Sequence, residues 1–482
     1  MAATAAPDAH APRAALRCAA AIPSPLSADF DALRDELRIP ADFPDEVTTA
    51  AAQAAARPVA LDGRADLRDV PFVTIDPPGS MDLDQAYFGE RDGDGYLVRY
   101  AIADVAYFVE RGGPIEAEAW RRGATAYAPD KRAPVYPQSL SEGAASLLPD
   151  GDRPAVCFTL RLDARGAVTT MRVERAVVRS TRKMSYQEAQ DEGGLPPLDE
   201  IGPLRIALEQ ERNAIRLDVP GQEIVPDPAS PAGYALTLET QLPIEGWNEQ
   251  ISLMVGMESA RVMIERGAGL LRVTAPTWQP ALDEARHAAR VLGVDWPADV
   301  AVDDIVRTLH RDDPHHMALL AAIQRAMGRA SYAAFTGAPP ADSVHSGLAA
   351  HYAHVTAPMR RLCDRYVLDL LCDATRPAGA VAKALDDLPP TMAKADAHNG
   401  RFEHALVDLV EARLLEHRVG ETFDAVVLSH HRDSARIQLA EPPVRAAVPD
   451  PAPPPGERAK VKLRDVDARA RRLDFALAPS PG

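Results

Sequence analysis

Sulfur is scarce in this chain: four cysteines among 482 residues, and Cys18, Cys157, Cys363 and Cys372 form neither a Cys-x-x-Cys pair nor a regular spacing. That pattern excludes a cysteine zinc site and a disulfide framework and leaves reduced, structural thiols. Long apolar runs are missing too, since nothing approaches the roughly eighteen consecutive apolar residues that a membrane helix needs. The Ala-rich start, Met1 to Ala21, has no Lys/Arg-led n-region and is broken by Asp8, His10, Arg13 and Arg17, so it does not read as a signal peptide. A cytoplasmic protein without a membrane partner is expected. Basic charge is the third shortage: 53 Lys and Arg face 70 Asp and Glu, for a net charge of −17. This excludes a broadly basic footprint on nucleic acid. Any phosphate backbone would have to be bound in a focused channel, where local potential and not global charge decides.

What is present is a soluble, globular composition, 46% hydrophobic and 26% charged, in a chain long enough for two or more domains. Its most informative segment is Thr74-Ile75-Asp76-Pro77-Pro78-Gly79-Ser80-Met81-Asp82-Leu83-Asp84-Gln85. The β-branched and aromatic run Pro71 to Ile75 reads as a buried strand, and Pro77-Pro78-Gly79 must turn the chain, so Asp76 stands at a strand end. Asp82 and Asp84, two residues apart, share a face in extended backbone, with Leu83 turned away. Three carboxylates sharing one pocket would repel each other, and bound Mg²⁺, or Mn²⁺, would convert that repulsion into coordination. An acidic surface turn and a Ca²⁺ loop are the competing readings. A twelve-residue loop from Asp76 or Asp82 has neither Gly at position 6 nor Glu at position 12, against the Ca²⁺ reading. The apolar flanks, including a hairpin of Ala86 to Phe88 with Tyr96 to Val105, argue against a surface turn.

A second hairpin, Ala155 to Leu162 with Ala167 to Val178, follows, and then helical spacing over Trp247 to Arg266, Pro280 to Leu292, Met317 to Ala334 and Met359 to Cys372. Strands first and helices after predict an α+β fold. Before it, residues 1–26 read as a disordered Ala/Pro-rich tail and 27–64 as a short helical segment, with patterns at Asp29 to Leu37 and Pro44 to Ala55. The catalytic region spans 65–376, and a helical extension over 377–418 carries an amphipathic stretch from Thr391 to Arg418, with Gly420 as its C-cap. Five short strands over 419–482 suit a small OB-like barrel in which a proline-rich loop, Pro451 to Gly456, and few aromatics leave little for base stacking.

Residues 74 to 104 resemble the RNB exoribonucleases, the ribonuclease II and ribonuclease R family, whose signature is Thr-Ile-Asp, a spaced acidic cluster and Ile-Ala-Asp. The resemblance continues through Tyr127-Ala128-Pro129, Leu140-Ser141 with Ser146-Leu147, the stretch around Tyr186, and Tyr352-Ala353-His354-Val355-Thr356-Ala357-Pro358-Met359-Arg360-Arg361. It implies an RNB-type catalytic domain, a C-terminal OB-fold RNA-binding domain, and 3′→5′ hydrolysis of single-stranded RNA to nucleoside 5′-monophosphates; a monomer is expected. By that resemblance Asp76, Asp82, Asp84 and Gln85 would hold Mg²⁺ or Mn²⁺, and Asp84 and Arg360 would be catalytic. Tyr127, Tyr186, Arg361 and Glu403 would contact RNA. Two departures stand out: Gln85 occupies the place of a fourth Asp, which reduces the negative charge offered to a metal, and Leu362 replaces an aromatic after the Arg pair. The alternative reading is an RNA-binding member weakened or inactivated through Gln85.

Overall fold

The structure is a computed structural model describing residues 25–217, 219, 221–274, 279–310, 313–373, 380–431 and 433–478. Cys18 and most of the expected N-terminal tail fall outside these residues. Helices α1 (Ser27–Leu37) and α2 (Asp45–Ala55) lead into strands β1 (Ala65–Asp76), β2 (Gln85–Asp92) and β3 (Gly95–Ala103). Helix α3 (Pro114–Arg122) precedes β4 (Arg153–Leu162) and the long β5 (Val168–Ser185). Next come α4 (Tyr186–Asp191), α5 (Leu198–Glu211), the hairpin β6 (Gln222–Pro226) and β7 (Tyr234–Leu238), and α6 (Pro243–Arg266). Strand β8 (Ala268–Thr274), helices α7 (Gln279–Val291), α8 (Val302–Thr308) and α9 (Pro314–Ala326), and β9 (Ala330–Thr336) follow. Helices α10 (Leu362–Cys372) and α11 (Ala380–Leu415) lead to β10 (Thr422–His431), β11 (Ser434–Leu439), β12 (Arg445–Pro449), β13 (Arg458–Asp467) and β14 (Arg472–Leu477).

The two expected hairpins are β2–β3 and β4–β5, but they do not lie in an open sheet. Strand β1 pairs antiparallel with β2 and parallel with β5, and so closes a five-stranded barrel. Its interior is filled by alternating apolar residues such as Val98, Tyr100 and Ile102 of β3 and Val156, Phe158 and Leu160 of β4, all essentially inaccessible. The C-terminal strands form a separate sheet in the order β12-β11-β10-β13-β14, with Phe423, Val427, Ile437, Val461 and Phe475 as its buried face. The fold is thus α+β, with RNB-type strands and helices followed by an OB-type module.

Three sequence expectations are corrected. The helix expected over Met317 to Ala334 ends at Ala326, because Ala330–Thr336 pairs residue for residue with β8; strand pairing overrides the helix preference of its alanines. The helix expected from Met359 begins at Leu362, so Arg360 and Arg361 precede it, with Arg361 in extended backbone at the N-cap. The amphipathic stretch placed at Thr391 to Arg418 starts at Ala380, runs through Pro389 and Pro390, and stops at Leu415. Gly420 is therefore no C-cap; its N–H donates to the Leu463 carbonyl and starts the C-terminal sheet.

Candidate active site

Strand β1 ends at Asp76 and the chain turns through Pro77, Pro78 and Gly79. At φ +81° Gly79 is in the left-handed region that an L side chain disfavours. The loop is then pinned from below. Leu83 is wholly buried; its N–H donates to Ser146 Oγ at 3.0 Å and its carbonyl accepts from Leu147 N at 3.0 Å. Ser146 Oγ donates in turn to the Met81 carbonyl at 2.6 Å. The Ser146-Leu147 block therefore sets the height of the acid loop, and anchoring Leu83 fixes Asp82 and Asp84 on either side of it.

The opposite wall is the segment from Tyr352 to Arg361. It packs against α6 where Gly256 lacks a side chain; a Cβ there would come within 2.2 Å of the Tyr352 ring. Asp364, fully buried in the first turn of α10, accepts from Ala357 N at 2.8 Å and from Arg361 Nη2 at 2.7 Å. This bends the segment back over the acids. Asp84, 2% exposed, accepts from Met359 N at 2.8 Å and from Arg360 Nε at 3.0 Å, while the Arg360 side chain stays 44% exposed.

Burial, more than the nearby Arg360 cation can offset, pushes both Asp76 and Asp84 up to about 7, with neighbouring carboxylates adding to the shift. Such acids await positive charge. Asp82 has found some: Arg132 Nη1 lies 2.5 Å from its carboxylate and also pairs with Glu142. Lys183, opposite Thr74 across β1 and β5, adds its field at Asp76 and donates to the Ser80 carbonyl.

The other expected residues are placed unevenly. Burial raises the Tyr127 hydroxyl against the opposing field of Arg360, and Asp82 and Asp84 add to the rise, so Tyr127 stands beside the acids. Tyr186, first in α4 after the Ser185–Glu188 capping box, accepts from Asn248 Nδ2 at 3.4 Å and is raised by burial and by Asp76. Gln85 is engaged at both ends of its amide: Nε2 donates to the Thr356 carbonyl at 2.7 Å and Oε1 accepts from the Tyr100 hydroxyl. It ties the barrel to the opposite wall. Arg361 spends its guanidinium on Asp364. Glu403, on α11, is pushed up to about 7 by burial and by Asp396, and none of the loop acids figures among its neighbours.

Arg132, Asp364, Tyr100 and Lys183 were not singled out from the sequence. Arg132 follows soon after Tyr127-Ala128-Pro129, a usable signal; the other three enter through barrel closure and helix packing, which no local pattern announces.

Do these residues fit a divalent ion? The donor set of Asp76, Asp82 and Asp84 is all oxygen, as a hard cation prefers, and two of the acids are held above their ordinary range, which a cation would reverse. Among the described residues, the one group of three His, Cys, Asp or Glu ligand atoms within 4.8 Å of one another is His354, Cys363 and Asp364, not the loop acids. That group is already saturated. Arg361 and Ala357 N occupy the Asp364 carboxylate, and Tyr332 holds His354 Nδ1 at 2.7 Å. The loop acids are the better fit in chemistry, with Asp82 held back by Arg132.

Comparison with known proteins agrees with this architecture. Residues 64–194 match the RNB domain, and residues 421–478 match the RNase II-type exonuclease C-terminal S1 domain. The chain therefore carries an RNB domain and, C-terminal to it, an RNase II-type S1 domain. It is 26% identical to ribonuclease R of Chlamydia trachomatis over 412 residues, covering 82% of this chain and 58% of that protein. It thus spans a little over half the length of that curated relative. Among solved structures, Mycoplasma genitalium RNase R in complex with ribose methylated single-stranded RNA superposes with a TM-score of 0.84 at 20% identity, over 93% of this chain and 78% of that one. Yeast Ssd1, a pseudonuclease, gives 0.65 at 16% identity, over 88% and 54%. At these identities the structures establish the fold alone. Among the described residues no helix is long and apolar enough to cross a membrane.

Proposed function

We propose that this protein is a metal-dependent 3′→5′ exoribonuclease that hydrolyses single-stranded RNA to nucleoside 5′-monophosphates, acting as a cytoplasmic monomer. The observation that carries it is the buried Asp84 carboxylate, held by Met359 N and by the half-exposed Arg360, on a loop whose Asp76 and Asp84 are both displaced to about 7. Asp76, Asp82 and Asp84 would hold Mg²⁺ or Mn²⁺, which supplies Lewis-acid activation of water at a phosphodiester. Arg360, anchored through Nε on Asp84, presents its guanidinium to the non-bridging oxygens of the scissile phosphate, where charge builds. Tyr127 and Tyr186, whose hydroxyls sense the loop acids, would stack bases without regard to sequence, in keeping with a nuclease indifferent to sequence. Polarity and products follow from the resemblance to RNB exoribonucleases and from relatives named ribonuclease R.

The second reading is an RNB protein that binds RNA without cleaving it. Gln85 favours it: its amide is committed to Tyr100 and Thr356 and brings no charge to the acid loop, and a pseudonuclease shares the fold. Purified protein with a 5′-labelled single-stranded RNA and Mg²⁺, Mn²⁺ or EDTA separates the two. A metal-dependent ladder shrinking from the 3′ end supports the nuclease; retained gel-shift binding with intact RNA supports the binder.

A further inference from the structure

Arg360 and Tyr127 are far apart in the chain, yet one short ribbon carries both. Residues 123–126 run antiparallel to residues 360–362, with Ala124 opposite Arg361. Thr125 N donates to the Arg360 carbonyl at 2.9 Å, and Leu362 N donates to the Gly123 carbonyl at 2.9 Å. One residue on, Ala126 exchanges both backbone bonds with Ala133, at 3.0 and 2.8 Å, which closes the loop that bears Tyr127 and Arg132. Thr125 stands between the two bridges. Its N–H holds Arg360, its Oγ1 accepts from Val135 N at 3.3 Å, and its carbonyl accepts from Asn399 Nδ2 of α11 at 3.0 Å.

Helix α11 gives that bond a firm support. Thr391, Ala395 and Asn399 recur at every fourth position and so lie along one face of the helix. The face is seated on the ribbon, where a Cβ on Gly123 would come within 2.7 Å of the Ala395 methyl. Beside Asn399, His398 Nε2 lies 2.6 Å from the Leu37 carbonyl at the end of α1. Farther along, Phe402, Leu406 and Val410 share one buried cluster with Phe423 and Val461 of the C-terminal sheet. Thr125 is itself buried, so without the Asn399 donor its carbonyl would be left to find another partner, and the backbone would shift to do so. Such a shift carries Arg360 and Tyr127 with it, and misplacement by an ångström is costly for a group that must meet a reacting centre.

We propose that Asn399 is a positioning residue: through Thr125 it sets Arg360 and Tyr127 together beside the acid loop. The proposal rests on the reading of those two side chains as substrate-facing. The test is a double-mutant cycle in the full chain, read as the single-turnover rate of cleavage of 5′-labelled single-stranded RNA at saturating RNA in Mg²⁺. Asn399→Leu, close in size but without a donor, should slow cleavage by about tenfold or more. In an Arg360→Gln background the same change should slow it by no more than about twofold, since a residue that acts through Arg360 has nothing left to position. Should Asn399→Leu fail to fold, Asn399→Asp, alike in shape but unable to donate, takes its place. An undiminished rate in the single variant would overturn the proposal, as would losses that multiply in the double variant, the behaviour of general destabilisation. If the native protein binds RNA without cleaving it, the nuclease reading fails and the cycle is read instead as gel-shift affinity in EDTA, with Tyr127→Leu in place of Arg360→Gln. Asn399→Leu should then weaken binding by about tenfold alone and by no more than about twofold beside Tyr127→Leu. Losses that multiply there, or no RNA binding at all, would overturn the proposal.

Discussion

The two β modules of this chain treat charge in opposite ways. In the RNB barrel and the helices around it, Asp84, Asp104, Asp364 and Arg365 are all buried, and the last buried polar or charged side chain is Glu411. From β10 onward, among the described residues, none is buried. Two ion pairs of the S1 sheet, Lys460 with Asp424 and Arg464 with Asp474, are about half-exposed or more at both ends, over a core of Phe423, Val427, Val461 and Phe475. Buried charge costs free energy unless each partner is matched. A barrel that carries it must match every charge with a partner, whereas the S1 sheet meets its surroundings only through exposed side chains.

The sharpest way to break this contrast is at the acid loop. Asp84→Asn keeps the shape and the bond from Met359 N but removes a charge from the proposed metal site. Turnover of single-stranded RNA should fall by roughly 10³-fold or more, about 4 kcal/mol of barrel-borne catalysis, with gel-shift affinity nearly unchanged. Undiminished turnover would remove Asp84 from the mechanism.

Adjacent arginines give the next largest effect, now on folding. Arg361→Ala strands Asp364, fully buried and also bonded to Ala357 N, and should cost about 3 to 5 kcal/mol in chemical denaturation. Arg360→Ala also removes a partner from a buried acid, Asp84, but one already raised to about 7 and able to take up a proton instead, so this change should cost activity and less stability. Equal losses from the two would erase the division between a bracing and a substrate-facing arginine.

Gln85→Asp tests the linkage across the cleft. An aspartate cannot donate to the Thr356 carbonyl, so the metal-free variant should lose about 1 to 3 kcal/mol, read as a lower melting temperature in EDTA. If the missing fourth acid limits metal binding, added Mg²⁺ should restore the loss and the variant should turn over at lower Mg²⁺ than the native chain. A melting temperature indifferent to the substitution would show that the amide bridge carries no load.

Much of this was legible in the sequence for a definite reason. Asp76, Asp82, Asp84 and their flanking strands lie within one short stretch, so alternation and turn residues were enough to order them, and the five C-terminal strands announced themselves by spacing. Barrel closure was not legible, because the parallel pairing of β1 with β5 joins segments about a hundred residues apart. Lys183, Tyr100 and Asp364 stayed hidden behind barrel closure and helix packing, while Arg361, read as an RNA contact from its place in the Arg360-Arg361 pair, turns inward to an acid three residues on. The first half of strand β9 was read as helix because its apolar residues fit helical spacing until a partner strand claims them.

Glu403 extends the contrast to α11. Its carboxyl is raised to about 7 from an ordinary 4.5 by burial and Asp396, so between those values the native state holds a proton that the unfolded state releases. Its contribution is fully present below pH 4.5 and is lost as pH rises through 7. Glu403→Gln should therefore gain on the native protein by roughly 1 to 2 kcal/mol between pH 5 and pH 8 in urea denaturation. A gap that stays constant with pH would mean that Glu403 is solvated.

The smallest effect belongs to the S1 sheet. Lys460 and Asp424 meet at 2.9 Å across β10 and β13, but their side chains are 57% and 70% exposed, so water already solvates both charges. Lys460→Ala should change stability by no more than about 0.5 kcal/mol. If this surface carries RNA, its effect should appear in affinity, as a shallower dependence of binding on salt, because a lost phosphate contact releases one counterion fewer. A loss of several kcal/mol would mean that the C-terminal sheet, like the barrel, depends on its charges, and the contrast between the two modules would fall.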